Sequence, residues 1–110
     1  MLKGRKVRIR LKRHFVEQKL WVFIGEVLEF TENWVMVNGK GILFLKGDVE
    51  PFDIDEQPRV LVIPRENVAH IRVLPDDFDI SDIRVEYLGR RVCVVVEGAP
   101  HTSIGERAED

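Results

Sequence analysis

Positive charge is concentrated at the start of the chain. Seven basic residues precede the first acidic residue, Glu17, whereas the whole chain carries a net charge of −2, so the remainder is acidic. Lysine and arginine supply most of the sequence-independent affinity for nucleic acids, so this segment is a candidate phosphate-binding surface. An equally good interpretation is the solvated face of an edge strand, where cations prevent aggregation. The seven residues are Lys3, Arg5, Lys6, Arg8, Arg10, Lys12 and Arg13.

The other reactive side chains form no catalytic or metal-binding pattern. The three histidines are widely separated and Cys93 is the only cysteine, so no zinc-ligand spacing is present. Neither acidic stretch, residues 48–56 or 76–82, has the spacing and the glycine of a calcium-binding EF-hand. The sequence also lacks a nucleophile beside a base and a phosphate-cradling glycine loop. We therefore predict a protein that is not an enzyme and that uses no cofactor or metal.

Strands are predicted to position the basic residues and the turns that follow. In residues 6–12 apolar side chains alternate with basic ones, so the two sets should lie on opposite faces of a half-buried strand. Residues 20–30 are aromatic and β-branched and contain Gly25, where a strand can bend sharply. Asn38-Gly39 lies between two apolar runs, which predicts either a hairpin or a glycine-kinked strand.

The second half of the chain alternates between predicted strands and polar connections. Two β-rich runs, residues 59–63 and 68–74, are separated by the short polar connection Pro64-Arg65-Glu66-Asn67. An additional hairpin is predicted over residues 83–96. The acidic stretch 47–58 is predicted to be a solvated loop.

Length and strand spacing predict one all-β domain. The chain has 110 residues, which is typical of a single hydrophobic core, and we place the domain at residues 1–97 with a flexible tail at 98–110. Several short strands with a sharp glycine bend favour a small, strongly bent barrel of about five strands, to which the hairpin is added.

The order of these elements resembles the Sm-like family, which includes the Sm and LSm proteins and bacterial Hfq. Residues 7–12 resemble its first strand, 25–30 its glycine-bent second strand and 63–71 its second motif, and the likeness covers roughly residues 6–74. It implies an SH3-like five-stranded barrel whose open edges pair between subunits in a homo-oligomeric ring of about five to seven copies. A monomeric SH3-like or PRC-type barrel is the alternative.

The resemblance also implies that two turns bind single-stranded RNA. The matching turns are Thr31-Glu32-Asn33-Trp34 and Pro64-Arg65-Glu66-Asn67, although Thr31 replaces the family's usual Asp and Pro64-Arg65 replaces its Arg-Gly. These turns still offer charge, amide groups and a stacking surface. The same residues have structural alternatives, namely packing for the tryptophan and closure of the turn for the second asparagine. The expected RNA-binding residues are Asn33, Trp34, Arg65, Asn67, Arg8 and Arg10.

We therefore expect a ring-forming Sm-like protein that binds single-stranded RNA. The alternative is a non-catalytic oligomeric scaffold or protein-binding barrel without an RNA-binding role, which the altered turns and the acidic remainder of the chain favour. The apolar runs are shorter than the roughly 20 residues that cross a bilayer, and no continuous apolar stretch follows the basic start. The sequence thus predicts a cytoplasmic protein without membrane contact.

Overall fold

The computed structural model describes residues 2–12, 21–44, 52–88, 91–96 and 100–106. In this part of the chain nine strands and one short 3-10 turn are present, and every strand pairing is antiparallel, so the all-β prediction is confirmed. The strands are β1 (Lys6–Leu11), β2 (Trp21–Phe30), β3 (Trp34–Phe44), β4 (Phe52–Ile54), β5 (Arg59–Pro64), β6 (Val68–Val73), β7 (Val85–Leu88), β8 (Arg91–Val94) and β9 (Thr102–Glu106), and the 3-10 turn is Arg65–Asn67.

Six strands form the larger sheet. Its order is β4-β3-β2-β1-β6. β5 and β4 both pair with the same edge of β3, β5 with its first half and β4 with its last three residues. The strand that carries the basic residues, β1, therefore lies between β2 and β6 and is not an edge strand. Its cations do not protect an exposed backbone edge.

Two glycines allow β2 and β3 to bend together. Gly25 and Gly39 are direct partners across the two strands. A Cβ atom on Gly25 would lie 2.5 Å from the carbonyl oxygen of Asn38, and one on Gly39 would overlap the carbonyl oxygen of Ile24. The two backbones therefore approach too closely for any side chain at these positions, and β3 runs without interruption through Asn38-Gly39, so no hairpin forms there.

The concave side of the larger sheet holds the inner core. Alternate residues of β1 point into it, as the period-2 pattern predicted, and meet buried residues of β2, β3 and β5. Leu11, Phe23, Leu61, Val68 and Ile71 pack around this group as partly buried neighbours. The fully or nearly buried members are Val7, Ile9, Val27, Val35, Val37 and Ile63.

A second sheet covers the opposite face of β2. Its order is β7-β8-β9, and its apolar residues pack on Val22 and Ile24 of β2. The predicted hairpin at residues 83–96 is therefore two strands of a three-stranded sheet rather than an isolated addition. The outer core consists of Val22, Ile24, Ile42, Leu74, Phe78, Val92, Val94 and Val96.

Two segments that the sequence assigned to loop and tail contain strands. β9, at Thr102–Glu106, lies inside the predicted flexible tail, because it pairs with β8 and so satisfies backbone groups that β8 would otherwise expose. β4, at Phe52–Ile54, lies inside the predicted acidic loop and pairs with the end of β3. The rest of the predicted tail, residues 98–99 and 107–110, and residues 47–51 of that loop lie outside the described chain.

The larger sheet does not close into a barrel. β5 and β6 are joined by the 3-10 turn but do not pair with each other, so among the described residues the far edge of each strand has no partner. Exposed valines accompany these edges: Val60 is 57% and Val62 55% exposed on β5, and Val73 is 40% exposed on β6. The sequence-based barrel is thus an open, bent sheet in the single chain. No helix of the described chain is long and apolar enough to cross a membrane.

Candidate nucleic-acid interface

The turn between β2 and β3 is closed by a threonine. The Thr31 hydroxyl accepts hydrogen bonds from the backbone N–H groups of Asn33, at 3.1 Å, and Trp34, at 3.0 Å. The Thr31 N–H also donates to the Trp34 carbonyl, at 3.0 Å. Threonine thus caps the turn through its side-chain oxygen, a role that an aspartate carboxylate can also perform.

The 3-10 turn lies directly against this first turn. Pro64 pairs with Trp34 in the β3–β5 register, and the Arg65 N–H donates to the Asn33 carbonyl oxygen at 2.9 Å. The Arg65 side chain donates from Nη1 to the Thr31 carbonyl oxygen at 3.0 Å. Two segments about thirty residues apart in sequence are therefore joined by both backbone and side-chain contacts.

Arg65 also covers an aromatic ring. Its guanidinium carbon lies 4.6 Å from the centre of the Phe30 ring, within the range of a cation–π contact. Phe30 remains 36% exposed, so the contact leaves aromatic and guanidinium surface open to solvent. The sequence analysis did not select Phe30; its position immediately before the turn was the only available signal.

Trp34 presents its ring on the outer face of the sheet. It is 37% exposed, and its indole Nε1 donates to Glu29 Oε1 at 3.0 Å. This hydrogen bond satisfies the polar edge of the ring, and the exposed part of the side chain offers aromatic surface for stacking. The packing alternative for Trp34 is therefore not realised within the inner or outer core.

Asn33 and Asn67 flank the contact between the two turns. Asn33 is exposed, and its carbonyl is used by Arg65. Asn67 is half-buried, and its carbonyl oxygen accepts the Lys12 N–H at 2.8 Å, which attaches the end of β1 to the 3-10 turn. We name the group Phe30, Asn33, Trp34 and Arg65 the turn surface.

The turn surface is not strongly positive. Residues 29–34 and 64–67 contain the carboxylates Glu29, Glu32 and Glu66 but only one cation, Arg65. All three glutamates are exposed. Any ligand here is therefore held by stacking and hydrogen bonding more than by attraction of phosphates.

Arg8 and Arg10 lie on a different surface from the two turns. They occupy the outer face of β1, where Arg8 pairs with Arg72 of β6 and Arg10 with His70. Arg8 is only 6% exposed, and its Nη2 donates to Nδ1 of His70 at 3.0 Å. Of the six predicted RNA-binding residues, the structure brings Asn33, Trp34, Arg65 and Asn67 together and keeps Arg8 and Arg10 apart from them.

The described residues contain no group of three or more histidine, cysteine or acidic side chains that could hold a metal ion. Cys93 is a buried free thiol in β8. Known proteins add no further guide to the site: no protein-family model, curated protein or solved structure significantly matches this chain.

Proposed function

We propose that this chain is a ring-forming Sm-like protein that binds single-stranded RNA on the turn surface. The observation that carries the proposal is the contact between two turns distant in sequence, with the Arg65 guanidinium on Phe30 and an exposed Trp34 beside them. Proteins recognise single-stranded RNA by stacking its splayed bases on aromatic rings and guanidinium planes. The turn surface supplies both types of plane.

The nearby carboxylates favour base contacts over phosphate contacts. A glutamate carboxylate accepts hydrogen bonds from exocyclic amino groups of bases but repels phosphates. Glu32 and Glu66 border the turn surface, whereas Glu29 is occupied by the Trp34 indole. We therefore expect an RNA segment to lie with its bases toward Trp34 and its phosphates toward solvent.

Assembly is proposed from the two strand edges. β5 and β6 each have an outer edge without a partner among the described residues, and exposed valines accompany both. An unpaired edge with apolar side chains is an aggregation hazard unless another strand covers it. Pairing of β5 in one copy with β6 in the next is a head-to-tail contact, and it would cover the outer edges of β5 and β6 in every copy if the ring closes.

A pair of tryptophans provides the test of RNA binding. Trp21 and Trp34 are the only two, and they are similarly exposed, at 39% and 37%. In Trp21→Leu the fluorescence of Trp34 alone should be quenched by uridine-rich or adenine-rich oligonucleotides. Trp34→Leu should weaken binding about tenfold, measured by anisotropy of a labelled oligonucleotide, since one stacked base contributes about 1–3 kcal/mol.

Trp21→Leu serves as the matched control in the anisotropy measurement and should bind as the unmodified protein does. Equal affinity of both tryptophan variants, or no binding by the unmodified protein at low salt, would remove the turn surface as an RNA site.

Native mass spectrometry tests the assembly. Val62→Lys places a charge beside the outer edge of β5 and should convert the ring to single chains, because an edge lysine opposes strand addition. Val62→Thr keeps the β-branched shape and should leave the ring intact. A single-chain mass for the unmodified protein at micromolar concentration would exclude the ring.

A non-catalytic scaffold is the second candidate, and the surplus of carboxylates around Arg65 favours it. In that case the turn surface would contact a protein rather than RNA. Ring formation without oligonucleotide binding in these two experiments would select the scaffold.

A further inference from the structure

A second group of donor side chains lies on the outer face of β1 and β6. We name Arg8, Arg10, His70 and Arg72 the basic cluster. The strand register places Arg8 opposite Arg72 and Arg10 opposite His70, and directly opposite residues have Cβ atoms about 4.5–5.5 Å apart. Like charges directly opposite each other destabilise a sheet, and Arg8 and Arg72 form such a pair.

Two of the arginines are fixed by hydrogen bonds to neutral acceptors. Arg72 donates to the carbonyl oxygen of Pro100 at 2.8 Å and to that of His101 at 3.0 Å. Arg8 donates to His70 Nδ1, and because guanidinium has no acceptor, this ring nitrogen accepts and the His70 proton lies on Nε2. The two contacts of Arg72 are to neutral carbonyl oxygens, so they orient its side chain without neutralising its charge.

Burial and neighbouring positive charge both disfavour the charged forms of two members of the cluster. Burial lowers the pKa of Arg8, and the neighbouring charges of Arg10 and Arg72 lower it further. Burial also lowers the pKa of His70, with the charges of Arg8 and Arg10 as the next causes. Within the described chain neither Arg10 nor Arg72 forms an ion pair, so no internal carboxylate cancels their charge at close range.

We propose that the basic cluster binds a phosphate group, with Arg10 and the Nε2–H of His70 as direct donors and the charge of Arg72 on the same face of the sheet. Arg10 is half-exposed and makes no hydrogen bond with the described residues, so its planar fork is available for two parallel bonds to phosphate oxygens. His70 is exposed and offers its donor from the opposite strand. This site is separate from the turn surface and does not depend on RNA binding there.

Three probes contain a phosphate group in different chemical forms and so distinguish the possible ligands. Inorganic phosphate tests a free anion, uridine monophosphate tests a monoester, and the dinucleotide UpU without a terminal phosphate tests the diester of an RNA chain. Each is titrated at constant ionic strength into isotope-labelled protein while the His70 and Arg10 side-chain resonances are followed by NMR. Saturable shifts of both residues are expected with at least one probe, and the tightest probe identifies the source.

Arg10→Gln should weaken binding of that probe about tenfold, which corresponds to loss of a hydrogen bond to a charged group. Arg59→Gln is the matched control: it makes the same charge change on β5, where Arg59 is exposed and pairs with Asp55 at 3.2 Å, and it should bind phosphate unchanged. If Arg10→Gln does not fold, Arg10→Lys replaces it, since lysine keeps the charge but lacks the fork and should still bind more weakly.

The proposal fails if chloride at matched ionic strength reproduces the shifts, if no probe saturates, or if the Arg10 variant binds as well as the Arg59 variant. Its failure is distinguishable from that of the proposed function. If oligonucleotide affinity is lost in Trp34→Leu while every Arg10 titration is flat, the turn surface stands and the basic cluster has only a structural role. The reverse pattern would leave a phosphate site on a protein that does not bind RNA through its turns.

Discussion

The turn surface and the basic cluster differ in what surrounds their arginines. Arg65 lies on an aromatic ring, donates to a carbonyl and has three glutamates in the neighbouring sequence. The arginines of the cluster lie next to one another, and two of them are held by a histidine and by carbonyl oxygens. The first arrangement presents flat surface with little net charge, whereas the second concentrates positive charge. The two regions are therefore suited to different parts of a nucleotide, the base and the phosphate.

Both surfaces are carried by the larger sheet, in which the backbones of β2 and β3 approach closely at Gly25 and Gly39. Disrupting this approach is expected to have the largest effect on stability. Gly39→Ala places a Cβ against the Ile24 carbonyl and should lower the free energy of unfolding by about 3 kcal/mol. Urea denaturation followed by circular dichroism measures this. Gly4→Ala is the control, because its Cβ meets nothing within 4 Å and the cost of its positive φ is only about 1 kcal/mol. Equal losses of unfolding free energy in both variants would show that the close approach of β2 and β3 tolerates a side chain.

The pair formed by Gly25 and Gly39 shows what the sequence could predict and what it could not. Gly25 was recognised as a bend and Asn38-Gly39 as a hairpin or a kink, because glycine removes a steric restriction. That the two glycines are partners depends on the register of β2 and β3, which local patterns did not supply. The sequence predicted that both segments are strands, but it did not predict which residues of the two strands pair.

The burial of Arg8 also could not be predicted from local sequence patterns. Alternation in residues 6–12 correctly separated an apolar face from a basic face, but it could not say what would cover the basic face. The second sheet packs on that side of the larger sheet, beside Ile24, the β2 partner of Arg8. The strand β9, which completes the second sheet, has the polar sequence Thr102-Ser-Ile-Gly-Glu and no strand pattern of its own.

The salt dependence of oligonucleotide binding should separate the two surfaces. Trp34→Leu should reduce affinity about tenfold without changing the slope of log affinity against log salt, since stacking releases no counterions. Arg10→Gln should reduce that slope by about 0.7 if the oligonucleotide reaches the cluster, because each neutralised phosphate of a single strand contributes about that amount. Fluorescence anisotropy at several salt concentrations measures both slopes. Equal slopes of log affinity against log salt concentration for all variants would mean that RNA does not reach the basic cluster.

A smaller effect is expected from loss of the guanidinium plane on the turn surface. Arg65→Lys keeps the charge but removes the planar contact with Phe30 and the geometry of the bond to Thr31, which should destabilise the protein by about 1 kcal/mol. Arg59→Lys on β5 makes the same chemical change at an exposed ion pair and should be nearly neutral. The midpoints of urea denaturation compare the two. A stable Arg65→Lys protein would show that backbone pairing alone holds the turns together.

The smallest effect concerns the pH dependence of the basic cluster. Because the folded protein lowers the pKa of His70, the unfolded chain binds more protons at this residue near and below its ordinary pKa, about 6.5. The contribution of neutral His70 to stability is therefore complete above that pH and is lost as pH falls through the lowered pKa of the folded state. His70 is exposed, so solvent screening keeps the loss small.

His70→Gln isolates this contribution, because the other titrating groups are common to both proteins. The decrease in unfolding free energy between pH 7 and 5 should be shallower in His70→Gln than in the unmodified protein, as measured by urea denaturation at each pH. Saturating phosphate should oppose the decrease, since a bound anion beside His70 favours its protonated form and raises its pKa. A pH profile that His70→Gln leaves unchanged, with and without phosphate, would mean that neither burial nor the charges of Arg8 and Arg10 disfavour the protonated histidine in the folded protein.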